Sequence, residues 1–266
     1  MSEYKELIDK MRWSYSRLTS FEHCRYGFYL AYIVKDEELY PNESNYYAEV
    51  GTFVHNILEK VLKKEMSIDD APQYFISHFD EAVHETTKES TMESTYYACL
   101  EYLSEEDFSW LEGYEVLGVE LKCEFEIDNY PFVGFIDLLL RDKTDGEYVI
   151  VDHKSAAYPL KKNGGVKKNQ EKSFLTYKRQ MYLYAYAVYL KYGKFPKELW
   201  WNHFKVNERV KIKFSMEDYE EAIRWFRYQI YLIQREEEYE PNKDYFYCNN
   251  LCSFRNSCEY NEEGGE

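Results

Sequence analysis

Residues 116–127 alternate strictly between apolar and polar side chains, which is the pattern of a strand with one buried face. Residues 132–141 are mostly apolar and rich in β-forming side chains, and the short turn 128–131 joins them to the first strand. Turn-forming residues occupy 142–147, and residues 148–154 have the composition of a third strand. The pattern predicts three consecutive antiparallel strands.

Helical periodicity marks most of the remaining chain. Ser14 or Ser16 caps the first helix, and Ser215 with Asp218 makes a capping-box-like start to the last long one. The segments predicted to be helical are 16–33, 46–65, two helices within 68–112, 173–192 and 215 to about 239, with a further hairpin from 199–206 and 209–214. The chain is therefore expected to combine helices with a sheet.

Two carboxylates meet if the hairpin between the second and third strands is symmetric. A symmetric turn pairs Arg141 with Tyr148, and the same register places Asp137 across from Asp152. Directly opposed Cβ atoms lie about 5 Å apart, so the two carboxylates repel each other unless a cation lies between them. Lys154 points to the same face and suits an oxyanion. This layout indicates a Mg²⁺ or Mn²⁺ site at a phosphodiester.

The same register predicts which side chains are buried. The residues predicted on the buried face are Phe132, Ile136, Leu138, Val149 and Val151. His153 points away from Lys154, whereas Glu120 emerges on the same face as the two aspartates. The alternative is an ordinary solvated sheet face. Asp137 interrupts an otherwise apolar run, however, and this favours a functional site.

Composition limits the class of protein. The 266 residues are 45% hydrophobic and 19% aromatic, with a net charge of −16. This apolar content excludes a disordered chain, and the negative charge argues against indiscriminate coating of nucleic acid. No apolar run approaches transmembrane length, and the N-terminus has no signal-peptide core. We therefore expect a cytoplasmic protein with no membrane partner.

Basic residues are concentrated next to the predicted carboxylate site. Between Lys154 and Arg179 there are eight basic residues and one acidic residue, Glu171. Such a segment would guide a polyanion such as DNA to the site. The candidate nucleic-acid-binding residues are Lys161, Lys162, Lys167, Lys168, Lys178 and Arg179. The alternative is an ordinary solvated loop, and the segment 155–170 is long enough to be mobile when no ligand is bound.

Three of the six cysteines lie close together near the C-terminus. They are Cys248, Cys252 and Cys258, in the spacing C-x₃-C-x₅-C. Three thiolates need a fourth to complete a tetrahedral or cubane site. Cys24 is the best candidate, because Cys99 and Cys123 have the surroundings of core residues. Such a site would tie the two ends of the chain together, whereas unrelated free thiols are the alternative.

Together these motifs resemble the PD-(D/E)XK nuclease superfamily. The resemblance is closer to the RecB/AddB-like branch, which includes the iron–sulfur exonucleases of CRISPR adaptation modules and their phage relatives. Residues 14–30 are similar to the family's opening helix with its first cluster cysteine, and G-T-F-V-H at 51–55 to the helix that brings a histidine to the metal. G-F-I-D at 134–137 and V-D-H-K at 151–154 resemble the catalytic motifs, here in the form D…D-x-K. Gln180, Tyr184 and the late cysteines match the branch's Q-x-x-x-Y motif and its cluster-closing tail.

The resemblance implies a restriction-endonuclease-like α/β fold with a central mixed sheet flanked by helices. It implies a helical N-terminal region (1–115) supplying Cys24 and His55, a nuclease core (116–240) and a cysteine-rich tail (241–266). The resemblance covers the two ends and 116–184 but not 66–112. The C-x₃-C spacing is one residue longer than the commonest form, so zinc stays open as an alternative to iron.

The resemblance also implies a Mg²⁺- or Mn²⁺-dependent deoxyribonuclease, an exonuclease rather than an endonuclease, that carries a [4Fe–4S] cluster. The implied metal ligands are His55, Asp137 and Asp152. The implied catalytic residues are Asp137, Asp152, Lys154, Gln180 and Tyr184, with Glu120 acting through a water. The implied cluster ligands are Cys24, Cys248, Cys252 and Cys258. Without this context, His55 is more simply a structural residue.

The implied partners are DNA and proteins of recombination, repair or CRISPR adaptation. An alternative from another class is a DNA-binding or assembly subunit with little nuclease turnover, partnering a recombinase or an integrase. The intact D…D-x-K set favours the enzyme. A purely structural zinc protein does not explain the carboxylate pair.

Overall fold

The hairpin between the second and third strands forms in the predicted register. The computed structural model describes residues 4–261, in which β1 spans Tyr114–Ile127, β2 spans Tyr130–Asp142 and β3 spans Tyr148–Lys154. Arg141 pairs with Tyr148 in an antiparallel ladder, and β1 pairs antiparallel with β2. Gly146 in the intervening turn has a φ of 74°, which glycine adopts without strain.

Two further strands complete a mixed sheet within the described residues. β4 spans Glu198–His203 and β5 spans Glu208–Lys213. The strands lie side by side in chain order, with β3 and β4 parallel and the other neighbours antiparallel. A parallel pair requires a long crossover, which here contains a helix of 22 residues. The predicted α/β fold, a mixed sheet flanked by helices, is confirmed.

The longer helices lie where apolar periodicity predicts them, with shifts at their ends, whereas the short helices Lys5–Asp9 and Tyr245–Asn250 were not predicted. The α-helices of the described residues are α1 (Lys5–Asp9), α2 (Tyr15–His23), α3 (Arg25–Tyr29), α4 (Tyr46–Leu62), α5 (Ala71–Ala82), α6 (Glu89–Glu105), α7 (Glu171–Tyr192), α8 (Met216–Ile233) and α9 (Tyr245–Asn250). Side chains of Asn45 and Ser215 cap α4 and α8 by accepting backbone N–H bonds. None of these helices combines the length and the apolar character needed to cross a membrane.

Two local predictions were wrong, and the loop predicted over 155–170 contains a short hairpin. The helix predicted over 16–33 breaks at Cys24, whose backbone is extended and whose thiol accepts the N–H of Gly27 at 3.2 Å. The last long helix ends at Ile233 instead of near 239, and Tyr239 has a φ of 47°, which no helix accommodates. The segment 155–170 forms a small hairpin closed by a bridge between residues 160 and 166.

Both faces of the central strands are buried. On one face Leu139 and Ile150 belong to the main core cluster, which includes α7 and α8. On the other face Leu138 and Val151 form a smaller cluster with Leu62 of α4. The helices α4, α5 and α6 enclose a further apolar cluster on that side. The sheet is therefore a central layer, with α4 and α7 on opposite sides of the end of β3.

The set predicted to share one buried face is divided between these layers. Phe132 and Ile136 lie in the main cluster, whereas Leu138, Val149 and Val151 lie in the smaller one. The division falls at Asp137, where the alternation along β2 changes phase. Across the ladder at this point Glu120 has a φ of 50°. The prediction that all five side chains share one face was therefore wrong. The sequence does not show the change of phase, because β2 has apolar side chains on both faces.

Candidate metal and active site

Three elements bring metal-binding side chains to one point at the end of the β2–β3 ladder. His55 from α4, Glu120 from β1 and Asp137 from β2 each offer one ligand atom, and these atoms all lie within 4.8 Å of one another. Nδ1 of His55 lies 3.6 Å from Oδ2 of Asp137. One imidazole nitrogen with two carboxylates can hold a divalent cation of the Mg²⁺ or Mn²⁺ type. The structure thus brings Glu120 into direct reach of a cation.

The local backbone explains how the carboxylates reach this point. The β2–β3 ladder keeps its predicted register but ends one residue before Asp137 and Asp152, so these residues flank its end. The Asp137 carboxylate accepts the backbone N–H of His153 at 2.7 Å. Glu120 adopts left-handed backbone, which is costly for a residue with a side chain. This distorted strand end turns the acidic side chains toward a shared pocket.

Lys154 lies directly beside the carboxylates. Its Nζ is 2.7 Å from Oδ2 of Asp152 and donates to Oε1 of Gln180 at 3.0 Å. Burial opposes the positive charge, but the carboxylates of Asp152 and Asp137 outweigh burial, so the pKa of Lys154 is raised. Lys154 therefore keeps its proton at neutral pH. It can act as a cation and a hydrogen-bond donor, but not as a general base.

We call His55, Glu120 and Asp137 the ligand group. The pKa values of these side chains reflect burial and the close approach of several carboxylates. Burial, followed by the charge of Asp152, raises the pKa of Asp137 well above its ordinary range. Burial, followed by the carboxylate of Glu59, raises the pKa of Glu120. Burial lowers the pKa of His55, which keeps its imidazole neutral and able to bind a cation. A divalent cation would relieve this repulsion between carboxylates.

Gln180 and Tyr184 lie one turn apart on α7, and both face the site. Nε2 of Gln180 lies 3.4 Å from the Tyr184 hydroxyl, whose pKa burial raises to about 12. The Tyr184 ring rests on Gly134, where an added Cβ would come within 2.4 Å of a ring carbon. Gly134 therefore lets α7 approach β2 closely enough for Gln180 to reach Lys154.

His153 connects the site to a buried polar network that the sequence did not reveal. Its backbone N–H holds Asp137, and its backbone oxygen lies 2.9 Å from Nε2 of His55. Its ring Nδ1 lies 3.0 Å from Nδ2 of Asn202 on β4, and the same amide donates to the Tyr102 hydroxyl of α6 at 2.8 Å. Asn202 interrupts an apolar strand, as Asp137 does. This polar residue within an apolar strand was the feature of the sequence from which the buried network could have been predicted.

The pocket over these residues has a volume of about 480 Å³. Besides the ligand group, it is lined by Tyr177 and Ser155, neither of which the sequence indicated. Nζ of Lys154 lies 5.0 Å from the centre of the Tyr177 ring, so the aromatic face also stabilises the positive charge of Lys154. The pocket therefore combines acidic ligands on one wall with a protonated lysine on another.

The sequence from residue 12 to residue 259 matches the model of the PD-(D/E)XK nuclease superfamily. The chain belongs to this superfamily. PD-(D/E)XK nucleases use divalent metals such as Mg²⁺ or Mn²⁺ and act on DNA, in keeping with the ligand group. The fold is similar to that of a protein from Eubacterium rectale named "putative exonuclease", with a TM-score of 0.52 and 13% identity over 99% of this chain and 93% of that chain. No curated protein matches the sequence.

The basic residues of this PD-(D/E)XK protein fall into two groups. Lys161, Lys162 and Lys168 are exposed around the small hairpin that follows β3. Lys167 in the same segment donates to a backbone oxygen at 2.8 Å. Lys178 and Arg179, however, form ion pairs with Asp218 and Glu221 of α8, both at 2.7 Å. The exposed lysines are therefore the ones available to a polyanion without breaking an ion pair.

The cysteines predicted to bind a cluster lie in one region. Cys24 joins α2 to α3, and its thiol accepts the N–H of Asn242 at 3.3 Å. Burial, followed by the Cys24 and Cys258 thiols, raises the pKa of Cys248, and burial raises that of Cys252 to about 11. Within residues 4–261 these sulfurs do not form a group at the 4.8 Å spacing of the metal-ligand group. The remaining cysteines pack with apolar clusters, as predicted: Cys99 and Cys123.

Proposed function

We propose that this protein is a Mg²⁺- or Mn²⁺-dependent deoxyribonuclease that degrades DNA from its ends. The observation that carries the proposal is the convergence of His55, Glu120 and Asp137 within 4.8 Å, beside the ion pair of Asp152 and Lys154. An isolated polar sheet face has no reason to gather a histidine from a helix and two carboxylates from strands. The superfamily gives the chemistry its class, phosphodiester hydrolysis.

The donor set fits a hard divalent cation. His55, Glu120 and Asp137 would hold it, and the adjacent Asp152 carboxylate would complete the negative site. Such a cation supplies a Lewis acid that polarises a phosphoryl oxygen and lowers the pKa of a bound water. The neutral imidazole of His55 suits this role, because only the deprotonated nitrogen can bind a metal.

Lys154 would stabilise the negative charge that develops on the phosphate. It keeps its proton, and Gln180 holds its Nζ by accepting a hydrogen bond at 3.0 Å. Tyr184 holds Gln180 in turn from the next turn of α7. Gln180 and Tyr184 would therefore act by positioning the lysine.

Attack at DNA ends is the finer part of the proposal. It is supported by the resemblance to the RecB/AddB-like branch and by the name of the Eubacterium rectale protein that shares the fold. The exposed lysines around the small hairpin, which begins directly after Lys154, would bring the strand to the site.

A degradation assay tests the proposal. End-labelled linear DNA and closed circular DNA, each single and double stranded, are incubated with Mg²⁺, Mn²⁺ or a chelator. We expect metal-dependent release of short products from linear DNA and survival of circular DNA. Cleavage of circles at the same rate would make the protein an endonuclease. Metal-independent cleavage, or none with any substrate, would refute the metal-dependent enzyme and favour the assembly subunit.

We further propose that Cys24, Cys248, Cys252 and Cys258 hold a [4Fe–4S] cluster. The support is their proximity: after burial, the neighbouring Cys24 and Cys258 thiols raise the pKa of Cys248, and Cys24 contacts the segment that leads into α9. A cluster core is larger than a single ion and needs its thiolates farther apart than one zinc ion does. Its role would be to tie the two chain ends together.

A further inference from the structure

Phe135 is exposed in the middle of an otherwise covered strand. Among residues 132–140 of β2 it is the one residue classed as exposed, with 48% of its surface accessible. Neighbouring Gly134 and Ile136 are buried. An aromatic ring accessible to solvent at the centre of a sheet is a poor choice for stability alone, so its position requires another explanation.

The ring lies on the metal side of the sheet. Gly134 faces α7, because an added Cβ there would meet Tyr184. Successive strand residues point to opposite faces, so Phe135 faces the α4 side. His55 reaches Asp137 from α4. Phe135 precedes Asp137 by two positions, which corresponds to about 7 Å along a strand.

Two cations and one carboxylate meet beside Phe135. Lys122 pairs with Phe135 in the β1–β2 register and is 54% exposed at its side chain. Glu124 is shared between Lys122 and Arg12, with a distance of 2.9 Å to each. These three side chains together carry one net positive charge, and Glu126 is exposed two positions farther along β1. The strip therefore offers an aromatic face together with two cations that share one carboxylate, so that a phosphate has to replace Glu124 on one cation only.

This strip lies across the metal site from the exposed lysines that follow β3. β1 and β3 are on opposite sides of β2 in the sheet, and β2 carries Asp137. A polynucleotide whose phosphate sits at the metal must extend away from it in two directions. The lysines after β3 line one direction, and Phe135 with its cations lines the other.

We propose that Phe135, with Lys122 and Arg12, forms a subsite for an unpaired nucleotide of single-stranded DNA. The inference rests on the proposed nuclease function and deepens it. The ring stacks on one base and the cations contact the adjoining phosphate. A paired base presents no free face to the ring, so the subsite selects a single strand or a frayed end. Stacking tolerates every base, so it adds no sequence preference.

The test compares Phe135→Leu, which keeps an apolar side chain, with Phe135→Trp, which keeps an aromatic one. Binding is measured for the full chain carrying Asp152→Ala, using single-stranded DNA with one 2-aminopurine and blunt duplex DNA. The matched control is Tyr97→Leu, because Tyr97 is an aromatic residue 60% exposed on α6, and it lines neither the pocket over the metal-ligand group nor the groove beside Lys122.

We expect Phe135→Leu to weaken binding of the single strand about tenfold and to abolish the quenching of 2-aminopurine fluorescence. Duplex binding should change less than about twofold by the same reasoning. Phe135→Trp should restore both signals, and Tyr97→Leu should match the parent. Unchanged single-strand binding in Phe135→Leu, or equal losses with both DNAs, would overturn the subsite.

The two proposals fail separately. If the unmodified chain binds single strands through Phe135 but hydrolyses no DNA with either metal, the nuclease proposal fails and the subsite stands. If the unmodified chain degrades DNA and Phe135→Leu retains single-strand binding, the subsite fails alone. Melting curves of each variant show whether the fold is intact, and an exposed position should tolerate both substitutions.

Discussion

The candidate metal site and the cysteine region both gather ligand-type side chains from distant parts of the chain, but they differ in the elements that position those side chains. His55, Glu120 and Asp137 come from a long helix and two paired strands, and their ligand atoms lie within 4.8 Å. The cysteines lie at a helix junction, on a six-residue helix and in turns, and within residues 4–261 their sulfurs do not reach that spacing. Regular elements position a site in advance, whereas turns depend on the ligand for their final geometry.

The largest effect expected from this comparison is on the cysteine region. Cys24→Ala should remove the iron and lower the free energy of unfolding by about 5 kcal/mol, by analogy with a covalent cross-link that closes a loop of about two hundred residues. Anaerobic iron and sulfide analysis and denaturant unfolding measure both effects. Cys99→Ala is the control, because Cys99 packs in an apolar cluster and should affect stability only. If the analysis finds one zinc ion and no iron, the site is a zinc site and not a cluster. Full iron loading in Cys24→Ala would exclude Cys24 as a ligand.

On the metal side, Lys154→Ala should lower kcat for DNA hydrolysis about 10²–10³-fold, because the charge that stabilises the reacting phosphate is lost. Calorimetric metal binding should persist, since the ligand group remains. Lys213→Ala, at an exposed position of β5, is the control and should behave as the parent. Full activity of Lys154→Ala would remove Lys154 from the site.

The hairpin lysines separate recruitment of DNA from chemistry. Changing Lys161, Lys162 and Lys168 to Glu should reduce the slope of log affinity against log salt by about 3, since three phosphate contacts no longer release counterions. Anisotropy titrations at several salt concentrations measure this slope. Lys154→Ala should leave it nearly unchanged. An unaltered slope in the triple variant would place the polyanion path elsewhere.

The buried network tests whether the metal site is positioned in advance. Asn202→Ala should weaken Mn²⁺ binding about tenfold, because His153 then loses the side chain that fixes its backbone beside His55 and Asp137. Calorimetry measures the affinity directly, without activity. Cys99→Ala supplies a buried control that perturbs packing alone. If both variants bind Mn²⁺ equally well, the network is structural.

The smallest expected effect is a pH dependence of the metal-free protein. Because the pKa of Asp137 is raised in the folded state, folding favours the protonated carboxyl. The contribution of Asp137 to the free energy of unfolding is greatest below the ordinary carboxyl pKa and declines as pH rises toward the raised pKa. The total decline is about 1.4 kcal/mol for each unit by which the folded-state pKa exceeds the unfolded-state pKa. Asp137→Asn should therefore gain stability relative to the parent as pH rises in chelator. Parallel melting profiles for the two proteins would contradict the raised pKa.

Local patterns were sufficient for the parts of the fold that local physics determines. The turn at 142–147 and the flanking strands define the ladder register, so the pairing of Arg141 with Tyr148 could be derived from sequence. The interruption of an apolar run at Asp137 predicted a site there, and the structure places His55 and Glu120 beside it. The phase change at Asp137 could not be derived, because side chains on both faces are apolar. The break at Cys24 was hidden by helical periodicity on either side.

Other features depend on tertiary contacts that no spacing encodes. Tyr102 meets Asn202 only because α6 packs over β4, and the two residues lie far apart in the sequence. Glu120 reaches the ligand group through an unusual backbone conformation within an ordinary alternating pattern. The pairing of Lys178 and Arg179 with α8 likewise required the arrangement of the helices.

The position of β1 at the edge of the sheet has a consequence for handling the protein. Within residues 4–261, β1 has β2 as its one neighbouring strand, so no strand pairs with its outer side along 14 residues. Bare edges of this kind recruit strands from other molecules. Lys122, Glu124 and Glu126 are exposed on this strand, and edge-to-edge pairing would have to strip water from their charges. The polar half of the alternating pattern that predicted β1 is therefore also expected to oppose edge-to-edge aggregation in concentrated solutions.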